Sequence, residues 1–284
     1  MATFPQSFLL ALTLSSVALG SLAPATALAE RALTANQIIG QMKNAMEPPK
    51  ASLRRMTLTA RDGSEETSLD LLQARRTFPD GARSLTVVLN PEGVRGIAYL
   101  VEQRRDGTGN TEYVYMPVIR RARKLLPTES YTAFLDTDFS YGDLGLLPIE
   151  TQNELGDETT VKGRKTYEVE STTGPVEEQW YVKRTVTFID AETLLPIKRN
   201  FYNPANSLFK TETFVESMQV DGIPSPSLIV MQNLGTRTNS VLQTTSLSYN
   251  DDIAEELFTP EKLSVVGGIL AKSKSAPNPT PAGH

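Results

Sequence analysis

The chain has 284 residues, with 28 Lys and Arg against 33 Asp and Glu, a formal net charge of -5. That balance argues against a nucleic-acid partner, which draws on excess cation to displace phosphate counterions. Cysteine is absent and the one histidine is His284, at the end of a proline-rich tail. Disulfides, thiolate metal sites and Cys nucleophiles are therefore excluded, and a Ser-His-Asp triad has no placed base.

Residues 1–29 carry no charged side chain. Phe8 to Ala23 is almost wholly apolar or small, and Ala27-Leu28-Ala29 offers an A-x-A cleavage pattern before Glu30. The segment reads as a signal peptide cleaved near Ala29, although it lacks the usual Lys or Arg near its start. Interrupted by Ser15, Ser16 and Gly20, it is short for a membrane span of about 20 residues. The expected product is an exported chain.

Thr34 with Gln37 three residues later reads as a capping box. Ala35, Ile38, Ile39, Met42, Ala45 and Met46 follow at helical spacing, and Pro48-Pro49 stop the helix. From Ser52 the period becomes two. Met56, Leu58 and Ala60 alternate with polar residues, Asp62-Gly63 turns the chain, and Leu69 and Leu71 carry the apolar face back. Similar strands follow at Leu85 to Leu89, Ile97 to Val101 and Glu112 to Met116, with a turn at Asp106-Gly107. A second series covers Thr166 to Glu170, Trp180 to Ile189, Pro196 to Tyr202, Leu208 to Met218, Leu228 to Asn233 and Val241 to Tyr249. About ten strands at hairpin spacing, with no alternating helices, predict one mainly β domain with a single antiparallel sheet and short helices. Residues 268–284, rich in Lys, Ser and Pro, read as a disordered tail.

Between the two series, Pro127 to Leu147 breaks the alternation. Tyr131, Phe134 and Leu135 fall at helical spacing, and Phe139, Tyr141, Leu144, Leu146 and Leu147 follow. Such an apolar excursion needs a surface to bury against, and the sheet is the available one. Asp136-Thr137-Asp138 opens like a calcium loop, but Tyr141 and Leu147 stand where a glycine and a bidentate Glu belong. Gly107-Thr108-Gly109 lacks the third glycine of a dinucleotide loop. No catalytic residue, metal site or cofactor is read from the sequence. Arg120-Arg121-Ala122-Arg123-Lys124 is the densest basic run; it reads either as a charged strand edge or as a patch for anionic head groups or an acidic partner.

Tyr115-x-Pro117, the basic run, and Asp138-Phe139-Ser140-Tyr141-x-Asp143 together resemble the LolA-like outer-membrane lipoprotein-sorting protein family, in the branch often associated with RND/MMPL-type exporters. Asp190-x-x-x-Leu194-Leu195-Pro196-Ile197-Lys198, Val220-Asp221-Gly222-Ile223-Pro224 and Leu257-Phe258-Thr259 agree in order. One departure is Asp136-Thr137, where the branch usually has Gly-Ser and glycine would allow a positive φ.

The resemblance implies a curved half-barrel over 30–267, with helices closing its concave side over an apolar hollow for acyl chains. It implies a periplasmic carrier of lipid or lipoprotein that performs no chemistry. An alternative is a lipid- or lipoprotein-sensing module of the same fold. On that basis Leu58, Leu69, Leu71, Val87, Tyr99 and Val101 are expected to line the cavity. Tyr131, Phe134, Leu135, Phe139 and Tyr141 would form a movable lid over 128–147. Arg120, Arg121, Arg123 and Lys124 would meet head groups or a partner. Asp138 and Asp143 would fix the lid's exit by capping, or by pairing with Arg120, Arg121 or Arg123. The expected partners are acyl chains, a transiently touched membrane and an inner-membrane RND/MMPL-type exporter.

Overall fold

The switch from helical to alternating spacing at Ser52 is where the sheet begins. The computed structural model describes residues 33–105, 109–146, 150–173, 181–249 and 253–270, together with residues 1 and 272. The signal-peptide reading, the turn at 106–107, Trp180 and most of the tail lie outside the described residues. Helix α1 (Ala35–Met46) opens with the capping box: Gln37 N–H donates to Thr34 Oγ1 at 3.3 Å, and Thr34 N–H donates to Gln37 Oε1 at 2.9 Å.

Six strands follow: β1 (Ser52–Asp62), β2 (Glu65–Phe78), β3 (Gly81–Asn90), β4 (Ala98–Arg104), β5 (Asn110–Met116) and β6 (Arg121–Lys124). The excursion comes next, with a single helical turn, α2 (Tyr141–Leu144). The second series is β7 (Glu150–Leu155), β8 (Thr159–Val161), β9 (Arg164–Thr173), β10 (Arg184–Asp190), β11 (Pro196–Tyr202), β12 (Leu208–Val220), β13 (Ile223–Asn233) and β14 (Thr238–Tyr249). Helix α3 (Leu263–Leu270) closes the described chain.

All these strands join one open 14-stranded sheet, in the order β6-β5-β4-β3-β2-β1-β14-β13-β12-β11-β10-β9-β7, with β8 beside β9. Each described pairing is antiparallel. The sheet is thus two meanders joined where β1 meets β14. Alternation missed β6, β7 and β8, which contribute no row of apolar side chains to a core: their sequences are RARK, ETQNEL and TTV. The basic run proves to be the end strand of the sheet, where charge discourages pairing with another chain.

Both faces of the sheet centre are covered. On one side Met56, Leu58, Leu69, Leu71 and Val88 pack under Phe134 and Phe139 of the excursion. On the other, Leu53, Leu72, Ala74, Leu85, Val87 and Leu100 pack against Phe258, Leu263, Val266 and Leu270. Val87 therefore faces away from the excursion, against expectation. A bulge after Asp70 sets Leu71 opposite Val88 and Leu72 opposite Val87. With five consecutive buried residues in β3, alternation could not say which set faced which side.

Helix α3 also lies on this outer face and runs past residue 267, where the folded domain was expected to end. Leu270 is 2% exposed. Gly267 allows the close approach: a Cβ there would stand 2.9 Å from Val87 Cγ1. Helix α1 sits on the excursion's side, its Ile38, Ile39 and Met42 against Val169 and Ile189.

Candidate functional site

A cavity of about 970 Å³ opens between the sheet and the excursion. Its wall includes Glu112 of β5, Ser84 of β3, Met56 of β1, Ile229 of β13, Lys210 of β12, Arg199 of β11 and Thr185 of β10. In a flat sheet β5 and β10 would stand nine strand spacings apart, about 43 Å. One hollow touching both requires a strongly curved sheet, and this face is the concave one.

The excursion is tied to both meanders by polar side chains. Gln73 Nε2 on β2 donates to the Leu144 carbonyl at 2.9 Å. Ser130 Oγ donates to Glu112 Oε2 on β5 at 2.6 Å, and Tyr99 OH donates to the same oxygen at 2.7 Å. Burial pushes the Glu112 carboxyl above its ordinary range, although these two donors pull it down. Asp138 accepts from Thr238 Oγ1 at 2.5 Å and Ser240 Oγ at 2.8 Å, both on β14. Lys210 Nζ on β12 meets Asp143 Oδ2 at 2.5 Å.

These contacts explain the Asp-Phe-Ser-Tyr-x-Asp block. Asp143 caps α2, accepting from Ser140 N–H and Oγ at 2.7 Å each. Its ion partner is Lys210, and neither it nor Asp138 pairs with Arg120, Arg121 or Arg123. Arg123 instead forms a two-pronged pair with Glu129, at 2.9 and 2.8 Å. Phe139 and Phe134 anchor the block from below, each 1% exposed. Between them Leu135 and Asp136 both take positive φ, +48° and +59°, in a tight turn closed by Thr137 N–H on the Phe134 carbonyl. Asp136 thus adopts the backbone that glycine would favour.

None of the six residues expected to line the cavity lines it in this state. Leu58, Leu69 and Leu71 lie beneath Phe134 and Phe139, Tyr99 and Val101 pack with Leu125 and Leu146, and Val87 faces outward. Of the expected lid residues, Tyr131 borders the cavity while Phe134, Leu135, Phe139 and Tyr141 fill the space between cover and sheet. Lys124 reaches the rim; Arg120, Arg121 and Arg123 do not.

The residues that sequence reasoning missed are charged. Arg54 and Arg75 line one part of the cavity, and Arg199, Lys210 and Glu212 another. Arg199 Nη1 stands 3.3 Å from Glu212 Oε2, and both side chains are nearly buried. Burial raises the Glu212 carboxyl, and the neighbouring Arg199 does not fully offset it. A signal existed: Arg54 is in phase with Met56 and Leu58, and Arg75 with Leu69 and Leu71. A charge inside an apolar row marks a place the core does not close.

A protein-family model described as an uncharacterized protein matches residues 80–265, well over half of the chain. No curated protein matches. Among solved structures, a domain described as an outer membrane lipoprotein-sorting protein, from Vibrio parahaemolyticus, is 21% identical with a TM-score of 0.73, covering 80% of this chain and 97% of its own. A DUF1329 family protein from Desulfovibrio piger is 22% identical with a TM-score of 0.74, covering 80% and 96%. A LolA superfamily protein from Nitrosomonas europaea is 18% identical with a TM-score of 0.66, covering 81% and 99%. The fold is LolA-like, the outer membrane lipoprotein-sorting fold of these neighbours, and the chain belongs to the family that the matching model describes.

Proposed function

We propose that the protein is a periplasmic carrier that holds the acyl chains of a lipid or lipoprotein in its cavity and moves them towards the outer membrane. The observation that carries this reading is the hollow of about 970 Å³ under the concave face, near the upper end of the usual range for ligand sites. Val182, Phe201, Phe214, Ile229 and Leu242 supply an apolar wall. A chain of about ten methylenes would gain about 8 kcal/mol there. That is enough to compete with the excursion's own side chains for Leu58, Leu69 and Leu71, so longer chains would lift the cover and enlarge the site.

Native mass spectrometry of protein purified from its own compartment, followed by lipid extraction, tests the reading. A bound acyl lipid is expected, and residues 127–146 should exchange amide hydrogens faster than the strands and change on loading. Ligand-free protein with a cover as protected as the strands would end the carrier reading.

Loading needs a surface. The β5–β6 tip exposes Val118 and Ile119, at 91% and 57%, directly before exposed Arg120 and Arg121. An apolar tip flanked by cations suits the boundary of an anionic membrane, where an RND/MMPL-type exporter would hand over the chain. Flotation with phosphatidylcholine vesicles should be weak. Adding phosphatidylglycerol should recruit the protein, and either Val118→Asp or high salt should release it. Equal binding by wild type and Val118→Asp would remove the tip from the account.

A further inference from the structure

The concave face changes character along its strands. On β1, Ser52, Arg54, Met56 and Leu58 follow one another on that face, and on β2 Arg75, Gln73, Leu71 and Leu69 stand opposite them in the same order. On the other side of β1, Tyr249 of β14 pairs with Ser52 and Leu242 with Leu58. One pole is cationic and the other apolar, separated by about four residues of strand, about 13 Å.

The charges lining the cavity do not all cancel. Lys210 is paired with Asp143, Arg199 with Glu212, and Arg75 with Glu47 at 3.4 Å. Glu112 accepts two hydroxyl donors. Lys124 lies at the exposed rim. Arg54 remains: it lines the cavity and makes no hydrogen bond or ion pair with any described residue. Beside it, Arg75 spends Nη1 on the Pro48 carbonyl at 2.8 Å, while its buried Nε finds no partner among the described residues. Burial lowers the Arg54 guanidinium from its ordinary value, with the neighbouring Arg75 adding to the effect, although Tyr249 and Glu47 oppose it. Half-buried Arg54 presents to the cavity a planar fork of N–H donors, which fits a carboxylate or phosphate two-pronged.

We infer that the cavity selects amphiphiles with an anionic head, whose oxyanion binds Arg54 with Arg75 behind it while the chain runs towards Met56, Ile229 and Leu242. The inference rests on the carrier reading and narrows its cargo. The acylated cysteine of a lipoprotein is uncharged where its chains join, so the site favours a free anionic lipid. Carboxylate and phosphate share the recognition chemistry, and a fatty acid or a phospholipid could supply it.

Chain-matched ligands decide the matter. Hexadecanoate, hexadecyl phosphate and methyl hexadecanoate are titrated, as labelled monomers, into delipidated wild-type protein and Arg54→Gln. Wild type should bind at least one of the anions about tenfold or more tighter than the ester. Selection of the carboxylate alone points to a fatty acid, and of the phosphate alone to a phospholipid. Arg54→Gln should bring the anions down to the ester's affinity and leave the ester unchanged. If wild type takes ester and anions equally, head-group recognition fails while the carrier reading stands. If nothing binds, both fail. Selectivity that survives in Arg54→Gln overturns the assignment to Arg54. Should that variant not fold, the comparison of ligands on wild type still decides.

Discussion

Replacing Lys210 with methionine is expected to destabilise the protein by about 3–5 kcal/mol, read from urea denaturation. Lys210 and Asp143 are 5% and 12% exposed, and the ammonium is what makes the buried carboxylate tolerable. Burial alone would raise the Asp143 carboxyl, but Lys210 and the Ser140 donors outweigh it and hold it below the ordinary 3.8. A folded value below the unfolded one stabilises above pH 3.8 in wild type, and that contribution is lost as pH falls through the folded value. In Lys210→Met the main opposition to burial is gone, so the carboxyl should rise above its ordinary range and the sign reverses. On acidification from neutrality the variant should then gain more stability than wild type does. The double variant Lys210→Met/Asp143→Asn should recover part of the loss at neutral pH, because no bare charge remains. A deficit that does not vary with pH would mean that Lys210 acts through packing on Phe201, whose ring centroid lies 4.9 Å away, rather than through the ion pair.

The second large effect belongs to Phe139. Truncation to alanine should cost about 3–5 kcal/mol, the range for an aromatic side chain removed from a closed core. Phe139 is 1% exposed and shares its cluster with Phe134, Leu58, Leu69 and Leu71. The same substitution at half-buried Tyr131, on the cavity wall, should cost far less, about 1 kcal/mol. Thermal denaturation measures both, and hydrogen exchange locates the loss. In Phe139→Ala the amides of 133–140 should open more than those of β1 and β2. Comparable losses for the two variants would mean that the cover lacks the anchored and mobile parts described here.

The parts of the fold that could be read from sequence are those where one periodicity rules. Helix α1 was carried by its capping box, and β1 and β14 by alternation along most of their length. Reading failed where alternation had no face to report. The short polar strands β6, β7 and β8 bury no apolar row, and β3 is covered on both sides, which hid the true orientation of Val87. Helix α3 was not foreseen: the Lys-, Ser- and Pro-rich end set the domain limit at 267, whereas the helix runs on to Leu270 and Gly267 marks a close approach to the sheet. In the site, the Asp138 and Asp143 block stood out, but its partners lie on β12 and β14, and nothing local to 138–143 names Lys210, Thr238 or Ser240. The guanidinium of Arg54 was visible by its phase, yet only the curvature that brings β5 and β10 to one hollow gives it meaning.

The seam between β1 and β14 bears on how the chain reaches its native state. Ser52 pairs with Tyr249, so nearly the whole described chain must be present before the middle of the sheet exists. Each meander can grow hairpin by hairpin from near neighbours, but each then ends in a long bare strand, β1 or β14, with unpaired backbone groups. Joining them is a contact of very high sequence separation, which slows folding and leaves both strands open to pairing with other chains meanwhile. Refolding should therefore show the two halves gaining protection early and the amides along the seam late, with aggregation rising steeply with protein concentration in that interval. A permuted chain, with its original ends linked and new ends opened between β6 and β7, would shorten the sequence separation across the seam and should fold faster.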